Sequence, residues 1–101
     1  MIVYNVSIKI PWEIEKEWQQ WVIDIDIPWI MATDLFHDVK IYRLLDDDDA
    51  EGPTFVIQSF TLSLKNYKIF VENFAPDHEF RVLEKWGNQL VSFRTAMQLV
   101  Q

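Results

Sequence analysis

The spacing of the hydrophobic residues switches between strand and helix periods four times along this chain, and that restricts the fold more than any other feature. In residues 2–10, "IVYNVSIKI", Ile2, Tyr4, Val6 and Ile8 share one face while Val3, Asn5, Ser7 and Lys9 share the other. Side chains alternate across a strand, so this stretch reads as a β-strand with one apolar and one mixed face. Pro11 ends it and suits the first turn of a helix. From Trp12 the repeat is helical. Ile14, Trp18, Trp21, Val22 and Ile25 follow three-and-four spacing, opposite Glu15, Lys16, Gln19 and Gln20. Pro28 lacks an amide hydrogen and interrupts this helix, and Asp26 is placed to cap a short segment running to Ala32.

Residues 35–45, "LFHDVKIYRLL", return to a strand pattern. "DDDDAEG" is a turn and "PTFVIQSFTL" a third strand. "SLKNYKIFVENF" has Ser63 as N-cap and Tyr67, Phe70, Val71 and Phe74 as its stripe. Pro76 kinks it, and Val82, Leu83 and Trp86 carry the helix on to a Gly87 stop. "NQLVSFRTAMQLV" is the last strand. The order β-α-β-β-α-β in 101 residues fits one domain, 1–101, and predicts a ferredoxin-like α+β sandwich. The expected form is a four-stranded antiparallel sheet with both helices on one face. The first and third strands are expected to be central and parallel, joined by a right-handed crossover.

A sandwich with helices on one side leaves the other sheet face uncovered. A domain this small buries only roughly two thirds of its unfolded surface. Both considerations predict a homodimer. Sixteen acidic residues against nine basic ones give a net charge of −7, and without clustered cations a nucleic-acid partner is disfavoured. The absence of cysteine excludes disulfides, thiolate nucleophiles and Cys-ligated zinc. The N-terminus reads as a strand and not as a secretion signal. No apolar run approaches the roughly 20 residues of a membrane span. A cytoplasmic protein without a membrane partner is expected.

Trp18 and Trp21 lie on the stripe that packs against the sheet and are expected in the core. Trp29, beyond the interruption, lines a pocket or packs at an edge. Asp24 is expected to be solvated. The run Asp46–Asp49 with Glu51 lacks the alternation, central glycine and twelfth-position Glu of a calcium loop. It reads as a charged hairpin tip that keeps an edge soluble. His37 and His78 stand in no metal-ligand spacing, so no metal and no cofactor is expected. The two glycines allow no phosphate-binding loop.

With those elements placed, the chain resembles an uncharacterised bacterial family of roughly 100-residue proteins, common among Bacteroidetes and known only as a domain of unknown function. The likeness rests on "MIVYNV", "W..W" in the first helix, "IP" followed by "MAT", and "F" with "YRLL" in the second strand. It continues through "GPTFVIQSF", "AP", "KWG" and "FRTAMQ". Such proteins often carry His where this chain has Asp26 and Gly where it has Asp34. The first departure removes any role of that His as a base or ligand. The second puts a less tolerant residue at a left-handed helix end. The resemblance implies a fold of the dimeric α/β-barrel type and no particular activity.

Polar side chains that interrupt apolar strands are the remaining candidates: Asn5, Ser7, Arg43, Gln58, Ser92 and Arg94. Burying Arg or Gln is costly without partners, so these groups are either paired structurally or exposed in a groove. Asn5, Arg43, Gln58, Arg94, Trp29 and His78 form the candidate ligand-binding set. The expected function is a homodimeric domain that binds a small molecule or acts as a structural module. The alternative is a cofactor-independent oxygenase holding a flat aromatic or porphyrin substrate between helices and sheet, with Asn5, His78 and Trp29 or Trp86 in its site.

Overall fold

The computed structural model describes residues 1–101. Strand β1 (Ile2–Lys9) leads through a 3-10 turn, Trp12–Ile14, into helix α1 (Glu15–Trp21). A π-helical turn, Val22–Asp26, joins α1 to α2 (Ile27–Ala32). Strands β2 (Asp38–Arg43) and β3 (Thr54–Thr61) form a hairpin. Helices α3 (Leu64–Asn73) and α4 (Ala75–Trp86) follow, and β4 (Val91–Gln98) completes the sheet.

The sheet order is β2-β3-β1-β4, and every neighbouring pair is antiparallel. β1 and β3 are central as expected, but they run antiparallel, not parallel. The β2–β3 hairpin reverses the chain and inserts β3 between β1 and β2. The crossover through α1 and α2 therefore joins β1 to the parallel but non-adjacent β2. Register fixes the two faces. Tyr4, Val6 and Ile8 lie opposite Ser59, Ile57 and Phe55 on β3, and Ala96, Arg94 and Ser92 on β4. These residues face the helices.

Two apolar clusters sit between sheet and helices. Ile8, Ile10, Phe55 and Ile57 pack on Trp18, Val22 and Trp86. Tyr4, Phe36 and Phe70 pack with Ile30 and Ala75. Trp18 is fully buried, with its ring 5.1 Å from that of Phe55. Trp21 is half-buried and meets Trp86 edge-on at 5.9 Å.

The helical stripe departs from regular spacing at its end. Ile27 donates its amide hydrogen to the Val22 carbonyl, five residues back. Pro28 supplies no amide hydrogen, and its ring would collide with the Asp24 carbonyl in a regular helix. The widened turn relieves both problems and rotates the following residues. Ile25, expected inside, is exposed, whereas Asp26 is buried. Asp26 makes no side-chain cap hydrogen bond, so the capping role expected of it is not what the fold uses. Pro76 stands in the first turn of α4, where its missing amide hydrogen costs no helical bond, and Phe74 separates α3 from α4. Ser63 does cap α3, accepting from the Asn66 amide at 3.0 Å.

The acidic turn is anchored on one side. Asp47 accepts from Lys9 at 3.2 Å and from the Thr54 hydroxyl at 2.6 Å, and these bonds hold its carboxyl below the usual carboxylate range. Trp12 Nε1 donates to the Asp49 carbonyl at 2.8 Å. Asp34 takes a left-handed backbone, φ 63°, a conformation that glycine adopts without penalty. Gly52 passes so close to β1 that a methyl group there would overlap the Ile10 carbonyl oxygen. Gly52→Ala should therefore destabilise the protein by more than about 1 kcal/mol. An unchanged melting temperature would show that the loop simply moves aside.

Candidate functional site

Helix α4 packs on α3 and reaches the sheet through Trp86 and Val82, which join the cluster of Ile8, Phe55 and Ile57. Every residue of β4 is exposed. Between α1, the π-turn, α4 and the β1–β4 side of the sheet lies a cavity of about 610 Å³. Val6, Ile8, Trp18, Trp21, Val22, Ile57, Val82, Leu83 and Leu90 supply its apolar wall. Asp26, His78, Glu79, Ser92 and Arg94 are among its polar residues. A mostly apolar concavity of a few hundred Å³ with a few convergent polar groups is the usual form of a small-molecule site.

The widened turn brings Asp26 to this wall, and the start of α4 after the Pro76 break brings His78. His78 Nε2 and Asp26 Oδ1 are 2.6 Å apart, with side chains 15% and 5% exposed. A carboxylate only accepts, so the contact puts a ring hydrogen on Nε2, and in the neutral imidazole Nδ1 is then an acceptor. Trp29 stacks behind His78 at 5.5 Å, and the Arg81 guanidinium covers the indole at 5.3 Å. The imidazole is thereby held by a hydrogen bond in its plane and a ring on one face.

Arg94 projects from the exposed edge strand and pairs with Glu79, one residue beyond His78. Nearby, burial pushes the Tyr4 hydroxyl above its ordinary range, with the Arg94 guanidinium opposing. No group of three or more His, Cys, Asp or Glu side chains converges that could hold a metal ion.

Of the six candidates, the structure brings His78 and Arg94 to one cavity, with Trp29 behind His78. Asn5 and Gln58 lie opposite each other on the other sheet face, joined at 3.1 Å. Arg43 lies on β2, the far edge of the sheet from Arg94. It covers the Trp12 ring at 5.4 Å and reaches Asp49 at 4.0 Å. The two arginines therefore share no groove, and each has an acidic partner. Asn5 and His78, both named for the oxygenase alternative, lie on opposite sides of the sheet.

Asp26 and Glu79 escaped the sequence reading. For Asp26 a signal was present: it stands four residues after Val22 and eight after Trp18, an acid on the inward stripe.

An antiparallel sheet with this order, backed on one face by helices, defines an α+β protein of ferredoxin-like architecture with a cavity between helices and sheet. Over residues 1–100 the sequence matches a family described as "Domain of unknown function (DUF4286)", and the chain belongs to that family. Among solved structures it is similar to a dimeric ferredoxin-like protein from an uncultured marine organism, with 8% identity and a TM-score of 0.76. That match covers 99% of this chain and 95% of the other. It is also similar to an ethyl tert-butyl ether D (EthD) family protein from Bacillus halodurans, with 9% identity, a TM-score of 0.64 and coverage of 98% and 100%. HapK from Hahella chejuensis gives 12% identity, a TM-score of 0.64 and coverage of 100% and 95%. At these identities the likeness is one of fold. No curated protein matches the sequence. No helix is long and apolar enough to cross a membrane.

Proposed function

We propose that this chain is a homodimeric small-molecule-binding domain of the dimeric α/β-barrel type. The ligand is a mostly apolar molecule with one polar end, held in the cavity between α1, α4 and the sheet. One observation carries this reading: the 610 Å³ apolar cavity has a His78–Asp26 pair and an Arg94–Glu79 pair on its wall. A sealed core would have no use for that polarity. The cavity also accommodates a ring system, with Trp18 and Trp21 among its walls.

The dimer is supported by the face opposite the helices. Phe93, Val91 and Met97 of β4 and Tyr42 of β2 are exposed there, alongside the half-buried Val3, Val56 and Phe60. An apolar surface of this extent on a small domain favours association, and a second copy would meet it isologously. A similar fold is described as dimeric in another protein. Such an interface should bury more than about 1,200 Å² in total.

Native mass spectrometry of the purified protein tests both statements. The expected result is a dimer that retains a small molecule. Ser92→Trp, which fills the cavity from β4, should lose the molecule and stay dimeric. Phe93→Asp, on the other face, should yield monomers. A 12.1 kDa monomer at micromolar concentration would sink the dimer. An empty wild-type cavity that also binds no hydrophobic dye saturably would sink the ligand site.

A further inference from the structure

The His78–Asp26 pair has the geometry of a proton-transfer group, beyond what retention of an apolar ligand requires. Asp26 fixes the tautomer through Nε2 at 2.6 Å, and Trp29 fixes the ring plane from behind. Nδ1 has no hydrogen-bond partner in the chain, nor is it one of the side-chain atoms sealed from solvent without a partner. Those are Glu15 Oε2 and Trp86 Nε1. In its neutral form His78 thus presents a reachable acceptor nitrogen at the wall of a largely apolar cavity. A neighbouring carboxylate that holds the other nitrogen is the arrangement that stabilises an imidazolium once a proton arrives.

The cation on the wall, Arg94, is bound only to Glu79, and both side chains are partly open to water. A developing anion can therefore take over Arg94 without exposing a buried charge. Ser92 lines the same cavity but makes no hydrogen bond to His78, so the geometry gives it no activated hydroxyl.

Resting on the ligand site proposed above, we infer that His78 is a general base acting on an apolar carbonyl compound with an acidic α-hydrogen. Asp26 is its positioning residue, and Arg94 receives the charge. His78 Nδ1 takes the proton from the carbon next to the carbonyl. The C–H electron pair becomes the carbon–carbon double bond of an enolate, and the carbonyl π pair moves to oxygen. There Arg94 exchanges Glu79 for the oxyanion. Returning the proton to the same carbon, or to a conjugated one, completes an exchange or an isomerisation. No oxidant, reductant or second substrate is consumed. Positioned bases of this kind contribute about 10²–10⁴-fold to a rate.

The probe is 2-tetralone, a two-ring ketone small enough for the cavity, followed in D₂O by proton NMR of its α-hydrogens. Binding is read separately from ligand line broadening. The wild-type protein should bind it saturably and speed exchange at least about 10²-fold over buffer. His78→Gln should abolish the acceleration while still binding the ketone, which also shows that the variant is folded. Asp26→Asn should lose most of the acceleration. Its ¹⁵N histidine spectrum should show the ring hydrogen displaced from Nε2, because an amide can donate where a carboxylate only accepted. Binding without accelerated exchange overturns this inference and leaves the ligand site standing, whereas absence of saturable binding overturns both. Undiminished exchange in His78→Gln, or a wild-type spectrum with the hydrogen on Nδ1, overturns the assignment of the base.

Discussion

Trp18→Ala is expected to cost about 3–5 kcal/mol, the usual penalty for deleting a buried aromatic side chain. Trp18 is 1% exposed. Its indole packs in one cluster with Ile8, Phe55 and Val22 and meets the Phe55 ring at a tilt, 5.1 Å between centroids. A protein of this length has a total stability of about 5–15 kcal/mol, so the variant should be marginal at room temperature. Urea unfolding at fixed protein concentration measures the effect, since assembly would otherwise shift the midpoint. Trp21→Ala should cost less, because Trp21 is half-buried whereas Trp18 is buried throughout. Equal losses for the two variants would mean that the cavity is closed in solution.

The second large effect is expected at the His78–Asp26 pair. His78→Leu leaves the Asp26 carboxyl, 5% exposed, without its only side-chain partner. Removing one member of a buried pair costs about 3–5 kcal/mol. Replacing both by leucine should recover most of that loss, because well-packed apolar residues often substitute for a buried charge and its partner without penalty. Single and double variants compared by urea unfolding decide the matter. A double variant as unstable as His78→Leu would show that the pair is needed for packing. Recovery would mean that the fold can do without the pair, as expected of a group kept for chemistry.

Much of the architecture was legible because it depends on local periodicity. The two-residue alternation of β1 and β3 assigns Tyr4, Ile8, Phe55 and Ile57 to one sheet face without any knowledge of neighbours. Proline at positions 28 and 76 marked the breaks in both helical regions, and Ser63 marked a cap. The orientation of β3 relative to β1 was misread, because alternation fixes faces and not strand direction. Arg43 and Arg94 look equivalent in sequence, as single arginines in apolar strands. Sheet order alone puts them on opposite edges.

The site was legible only in fragments. His78, Arg94 and Trp29 were candidates by residue type, as were Asn5 and Gln58, which the pleat turns to the other face. Asp26 shows a signal outweighed by another. Its spacing from Trp18 and Val22 put it on the inward stripe, but the proline two residues on favoured a helix cap, and the widened turn makes no such cap. By itself, then, the sequence determined the elements, their order and the faces they bury, since these follow from side-chain spacing over a few residues. The tertiary structure alone decided that Asp26 meets His78 across 52 positions of chain and that Glu79 of α4 meets Arg94 of β4. Both depend on how the ends of separate elements are rotated and stacked, which no local spacing records.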